Sequence, residues 1–264
     1  MTISEFRTKY NLGPIKVFEV DGYLYTEPIP VKLDINKNIV PGDLKDKEGF
    51  YVINYFDGYV ITKDGTVQPY GIKVTGNWTK GFSLDYHTIK STLVGKDADG
   101  RKVWNSQRPP IAEELYKLKY WKENHRTDKI ARPAADFLKK NPDIRRTNVI
   151  IPVPPTDTTR IFQPVYELAK AIGRITEIPV DTTSLRKVKS TPQLKEISDP
   201  KIRREVLKDA FDVHFNAFLD KNVLVFDDLY RSGETLRAVC DVIKNKGRTK
   251  EIYVLTITKT RSKR

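Results

Sequence analysis

The sequence predicts an α/β protein: a parallel sheet flanked by helices, preceded by an N-terminal antiparallel β-rich region. Three observations carry this. From Asn148 onward, short apolar runs alternate with stretches of helical periodicity. Residues 15–105 are instead rich in β-branched and aromatic residues and are broken by Asp-Gly pairs. Finally, Val223-Leu224-Val225-Phe226 is continuously apolar, as expected of a strand covered on both faces. The expected division is 1–108 for the β-rich region and 109–264 for the α/β domain.

In the first region the Asp-Gly pairs stand at 21–22, 57–58, 64–65 and 99–100. Asp-Gly accepts the positive φ angles of tight turns, so each pair between apolar runs predicts a hairpin. Residues 51–56 should turn into Tyr59-Val60-Ile61, and Ser91–Val94 into Lys102-Val103-Trp104. Helical spacing begins near Pro109, with Ile111, Leu115 and Leu118 on one face and Pro110 acceptable in the first turn. A second helix should start at Thr127 and carry Ile130, Ala134, Phe137 and Leu138, with Pro133 kinking it or delaying its start.

The α/β half opens with Val149-Ile150-Ile151 as a buried strand. Val165, Leu168, Ala169 and Ile172 then follow helical spacing, and Gly173 should end that helix. Asp199-Pro200 reads as N-cap and first residue of a helix through Ile202 and Val206. After the strand at 223–226, Leu236, Val239, Cys240 and Ile243 form an i, i+3, i+4, i+7 stripe closed by Gly247, and Ile252–Ile257 is a further strand.

Composition narrows the function. The chain has 264 residues, 39% hydrophobic and 31% charged, which suits a globular protein with a substantial core. No window approaches 18 consecutive apolar residues, so no membrane span is expected. The first residues lack a basic segment followed by an apolar one, so no secretory signal is expected either. One cysteine, Cys240, can build neither an internal disulfide nor a cysteine zinc site, which points to a reducing, cytoplasmic setting. His87, His125 and His214 share no ligand spacing, so no protein metal cage is expected. The net charge of +13 favours polyanionic partners without choosing among nucleotides, diphosphates and nucleic acid.

The chemistry concentrates in Asn222–Thr235. An apolar strand leads into Asp227 and Asp228, and a short loop, Arg231-Ser232-Gly233-Glu234-Thr235, runs straight into a helix. Both acids should lie at the carboxyl end of a parallel strand, where open α/β sheets bind ligands. The free N–H groups and positive dipole end of the following helix suit a phosphate. The carboxylates can accept hydrogen bonds from sugar hydroxyls beside it. A ribose 5-phosphate satisfies both halves.

This stretch resembles the signature of type I phosphoribosyltransferases. The resemblance implies that Asp227 and Asp228 hold the ribose hydroxyls at the catalytic centre. It makes Arg231, Ser232, Gly233, Glu234 and Thr235 the 5-phosphate cradle. The C-terminal half, about 111–260, is most similar to the ComF branch. Ile151-Pro152-Val153-Pro154 matches its Pro-Val-Pro segment, where the family places the diphosphate loop. Residues 160–163 resemble a degraded Arg-Gly-Phe-Asn-Gln run, and the segment at 191–193, Arg203-Arg204 and Ala210-Phe211 resemble its flexible-loop region. Val153, Pro154, Arg160 and Lys187 are thereby candidate diphosphate contacts. Two features depart from the branch: a cysteine-poor β region stands where its zinc module would be, and Arg231 occupies a loop position usually held by Thr or Ser.

Two functions follow. The first is an enzyme that binds 5-phosphoribosyl diphosphate with substrate-borne Mg²⁺ and transfers ribosyl phosphate to a nitrogen nucleophile. The second is a module of the same fold that senses 5-phosphoribosyl diphosphate or nucleotides and binds nucleic acid. A homo-oligomer is expected in either case. Arg160 reads equally as a solvated loop arginine, whereas Arg186, Lys187 and Lys189, which could reach the diphosphate if a lid closed, read more as solvated surface. Asp85 and His87, two apart on a strand, favour a structural over an acid–base reading. Trp78, Tyr86 and Trp104 read as packing of the β region.

Overall fold

The computed structural model describes residues 16–20, 23–27, 51–52, 59–61, 67–69, 71–96, 99–141, 143–156, 161–189, 191 and 199–261. Packing divides the chain into two units, Met1–Gly71 and Ile72–Arg264, so the division falls upstream of the expected 108/109. In the first unit, β1 (Lys16–Val20) and β2 (Tyr23–Glu27) form one antiparallel pair. A second antiparallel sheet holds β3 (Tyr51–Val52), β4 (Tyr59–Ile61) and β5 (Val67–Pro69). The Asp-Gly pairs at 21–22, 57–58 and 64–65 lie outside the described residues, but each falls between strands that pair: Val20 with Tyr23, Val52 with Val60, and Ile61 with Val67.

The second unit opens with β6 (Ile72–Lys73), β7 (Lys80–Tyr86) and a hairpin of β8 (Lys90–Lys96) and β9 (Lys102–Gln107). Gly100 in that hairpin's turn has φ +75°, the left-handed backbone that Asp-Gly was expected to supply. Then come α1 (Pro110–Tyr116), a π-helical turn (Lys117–Trp121), a 3₁₀ turn (Asn124–Arg126) and α2 (Thr127–Lys140). The remainder runs β10 (Val149–Pro152), α3 (Pro164–Thr176), β11 (Leu185–Lys187), α4 (Pro200–Leu207), β12 (Phe211–Val213), β13 (Asn222–Tyr230), α5 (Glu234–Asn245) and β14 (Glu251–Lys259).

The main sheet has the order β10-β13-β14-β7-β6. β10, β13, β14 and β7 are parallel, and β6 pairs antiparallel at the edge. Each central strand feeds two cores by alternation. Leu224, Phe226, Leu255, Ile257, Phe82 and Leu84 pack with α1, the π turn, α2 and α3. Val223, Val225, Ile252 and Val254 pack on the other face with α5 and β12. Val223–Phe226 are fully buried, and each such side chain stabilises the fold by about 1.5–3 kcal/mol.

Several expectations need correction. Residues 15–105 are not uniformly antiparallel, because β7 joins the parallel sheet beside β14. Its Gly81–Asp85 stretch is buried throughout, which an edge hairpin would not permit. β11 does not enter that sheet. It pairs antiparallel with β12, and Val180 forms an isolated parallel bridge to Ile150. A three-residue strand carrying exposed Arg186 cannot be covered on both faces.

Gly173 does not terminate α3, which ends at Thr176 with left-handed Glu177 as its cap. A Cβ on Gly173 would meet Val180 Cγ2 at 2.4 Å, so the glycine allows helix and chain to pack closely. α2 continues through Pro133. The hydrogen bond lost there would have run to the carbonyl of Lys129, an exposed residue where water can substitute. Trp104 is 52% exposed and packs no core, whereas Trp78 packs against the α5 side. Cys240 is fully buried, as its place on the apolar stripe predicts, and burial pushes its thiol pKa well up.

Candidate functional site

The apolar run of β13 drives that strand through the core and delivers its last residues to the carboxyl edge of the parallel sheet. Alternation then sends the two acids to opposite faces. Asp227 continues the face of Val223 and Val225, and Asp228 that of Leu224 and Phe226. Asp227 Oδ1 accepts the backbone N–H of Asp228 at 2.8 Å. Asp228, only 8% exposed, pairs through Oδ2 with Lys119 Nζ at 2.8 Å.

Lys119 comes from the π-helical turn, an element that often marks functional positions. Burial works against its charge. Asp228 first and Asp227 second outweigh that, so its pKa lies above the ordinary lysine value. Burial and then the neighbouring Asp228 charge raise the carboxyl of Asp227 well above the usual range, and Lys119 offsets this only in part.

After Tyr230 the chain turns through Arg231, Ser232 and Gly233 into α5. Gly233 sits at φ +78° and ψ 0° as the helix N-cap, and a Cβ there would lie 2.7–2.9 Å from the Tyr230 ring and hydroxyl. The loop is held from inside the helix, since Arg237 Nη1 donates to Ser232 O at 3.0 Å and Nη2 to Thr75 O at 3.1 Å. Glu234 is buried, with its carboxylate 3.2 Å from Arg237 and 3.6 Å from Arg204. What Glu234 offers an anion is therefore its backbone N–H. Asp227, Asp228 and Arg231–Thr235 together line one concavity of about 230 Å³, joined by Arg203 from α4.

The candidate diphosphate residues are placed differently. Val153 follows β10 and donates its N–H to Phe226 O at 2.8 Å, which sets this loop beside Asp227. Val153 and Pro154 are both buried. Lys187 donates to Thr156 Oγ1 at 3.2 Å and Thr191 Oγ1 at 2.6 Å, and burial lowers its pKa. It thus reaches the loop that carries Val153 and Pro154. Arg160 lies outside the described residues.

Sequence reasoning missed Lys119, although a signal exists. It stands eight residues after Ile111 and four after Leu115, on the inward stripe, where a lysine needs a partner. It also set His87 aside. The His87 N–H donates to Lys259 O at 2.7 Å, extending the β7–β14 ladder to the same sheet edge as Asp228. Its Nδ1 lies 3.2 Å from Thr258 Oγ1.

Among the described residues no helix is long and apolar enough to cross a membrane. No family model matches the chain, and no curated protein sequence does. Three solved structures are similar to parts of it. UMP synthase of Leishmania donovani matches over 64% of this chain at 14% identity and TM-score 0.35, and the chain spans only 28% of that protein's length. A purine phosphoribosyltransferase from Pyrococcus horikoshii matches over 51% of this chain and 82% of its own, at 18% identity and TM-score 0.32. An allosteric regulatory enzyme of purine biosynthesis matches over 89% of this chain and 46% of its own, at 13% identity and TM-score 0.33. The strand order and the two helical layers place the chain in the α/β class, with a parallel sheet flanked by helices and further antiparallel strands.

Proposed function

We propose that this chain is a cytoplasmic phosphoribosyltransferase-type enzyme, related to the ComF-like branch. It binds 5-phosphoribosyl diphosphate and transfers ribosyl phosphate to a nitrogen nucleophile, releasing diphosphate. The observation that carries the reading is a single concavity lined by Asp227, Asp228 and the Arg231–Thr235 loop at the carboxyl end of β13. The ribose hydroxyls donate to the carboxylates. The 5-phosphate receives the free N–H groups at the start of α5, with the helix dipole behind them. The loop after β10 and Lys187 lie on the neighbouring strand side, where the diphosphate would extend.

Mg²⁺, when bound on the substrate's diphosphate, supplies neutralising charge to the leaving group. Asp228 is engaged by Lys119, and Asp227, whose carboxyl burial holds above the usual range, is the remaining oxygen donor of the pair and would ionise as the substrate's Mg²⁺ approached. The chain's own residues act by positioning. The acids fix the sugar, the loop fixes the phosphate, and the anomeric carbon faces the acceptor as it takes on oxocarbenium character.

The test is calorimetric titration of 5-phosphoribosyl diphosphate with Mg²⁺ against the wild type and the double variant Asp227→Asn/Asp228→Asn. Losing two charge-assisted hydrogen bonds should weaken binding by about 100-fold or more. Equal affinity would remove the ribose role of the acids. Binding without diphosphate release across a panel of bases would move the reading to a sensor.

A further inference from the structure

β7 brings His87 to the sheet edge where Asp228 lies. Thr258 Oγ1 is 3.3 Å from the backbone carbonyl of Asp228, and a carbonyl can only accept. We read the hydroxyl proton of Thr258 as donated to Asp228 O, the direction in which that contact forms a hydrogen bond. His87 Nδ1, 3.2 Å from the same Oγ1, must then be the donor in that contact. This fixes the Nδ1–H tautomer and leaves Nε2 with a free lone pair. Among the described residues Nε2 forms no hydrogen bond.

We propose that His87 is the general base of the reaction, accepting through Nε2 the proton of the attacking nitrogen. This rests on the phosphoribosyl-transfer reading above. As the new C–N bond forms at the anomeric carbon, the bond to the diphosphate oxygen breaks and its electron pair leaves with diphosphate. The acceptor's N–H bond yields its proton to Nε2, which passes it to water.

The surroundings keep the imidazole neutral. Burial lowers its pKa first; Lys119 of the π turn, Arg108 ahead of α1 and Arg231 of the loop lower it further, against Asp228 of β13. Arg108 is itself held over the Tyr116 ring at 3.9 Å and by Glu113 at 3.4 Å, so that part of the field is fixed. A neutral imidazole with a defined free nitrogen is the form a base requires.

The experiment uses the full chain with ring-¹⁵N histidine, comparing wild type with His87→Asn. Asparagine keeps a donor for Thr258 while removing Nε2. Subtracting the spectra assigns His87 among the three histidines. Expected at pH 7 is an unprotonated Nε2 with a proton on Nδ1; an Nε2–H tautomer or an imidazolium overturns the proposal alone.

Diphosphate release is then measured from 5-phosphoribosyl diphosphate and Mg²⁺, with ammonia and a panel of purine and pyrimidine bases, between pH 5 and 9. The His87→Asn rate should fall by about 10²–10⁴-fold, and the acid limb of the wild-type profile should vanish. Affinity for 5-phosphoribosyl diphosphate should stay unchanged. A wild-type rate in the variant overturns the role. A wild type that fails to bind 5-phosphoribosyl diphosphate overturns the parent reading and leaves the imidazole spectrum as found.

Discussion

β13 and β7 run parallel in one sheet with β14 between them, and both carry carboxylates toward their carboxyl ends. On β13, Asp228 meets the ammonium of Lys119, and the strand opens into a concavity. On β7, Asp85 is 1% exposed, its Oδ1 accepts the Tyr86 N–H, and its Oδ2 has no hydrogen-bond partner among the described residues. Burial dominates at Asp85. It raises Asp85 to about 7 from 3.8, with the Tyr86 N–H and Arg261 only partly opposing it. Burial alone therefore does not make a binding carboxylate. A cation stands within reach of Asp228, whereas burial holds the Asp85 carboxyl well above the usual carboxylate range.

Asp85→Asn should have the largest effect on stability. Because the folded pKa of Asp85 is raised, the folded state binds the extra proton between pH 3.8 and about 7. Stability from this group is thus complete below pH 3.8 and is lost as pH rises toward 7. The gap corresponds to about 4 kcal/mol as an upper figure. Asparagine carries no such ionisation cost, so the variant should gain on the wild type by about 2–4 kcal/mol between pH 4 and pH 8. Urea unfolding across that range measures it, and a pH-independent difference would mean that Asp85 is already ionised when folded.

Lys119→Met gives Asp228 the isolation of Asp85. Removing one partner of a buried pair leaves a costly charge. Side-chain exposures of 27% and 11% temper that cost, giving an expected loss of about 1–3 kcal/mol at pH 7. Because the folded pKa of Lys119 is raised, the pair's contribution is complete at neutral pH and fades only as the lysine titrates above its ordinary 10.5. Thermal unfolding at pH 7 reads the loss, and an unchanged midpoint would show the ion pair to be energetically neutral.

The two strands also differ in how much of them is legible in the sequence. On β13 the acids, the glycine and the start of the helix are contiguous, so residue types and spacing state the chemistry without knowledge of the fold. On β7 the meaning depends on a neighbour far along the chain: Asp85 pairs in register with Thr258, and Ser83 with Thr256. A short segment among hairpin turns reads as more hairpin until β14 claims it. Lys119 is intermediate. Its place on an apolar stripe is visible, but the π turn that carries it and the acid it meets are tertiary facts. The β11–β12 pair shows the same limit, because alternation of elements along the chain does not say which strand enters which sheet.

Gly233→Ala gives the smallest effect and tests whether the loop after β13 is as tightly specified as its acids. At φ +78° a Cβ is strained whatever the space around it, which costs about 1 kcal/mol. Here the new methyl would also meet Tyr230 at 2.7–2.9 Å. That ring is not free to swing away, for it stands edge-on to Trp78 at 6.4 Å and its hydroxyl reaches Thr75 O at 3.4 Å. The combined loss should be about 1–2 kcal/mol, seen as a midpoint lower by about 2–8 °C. Because Gly233 caps α5 just where a 5-phosphate would sit, calorimetry on the same variant should show weaker 5-phosphoribosyl diphosphate binding with Asp227 and Asp228 intact. A destabilised variant with wild-type affinity would show that the glycine serves the turn alone and that the phosphate does not approach this backbone.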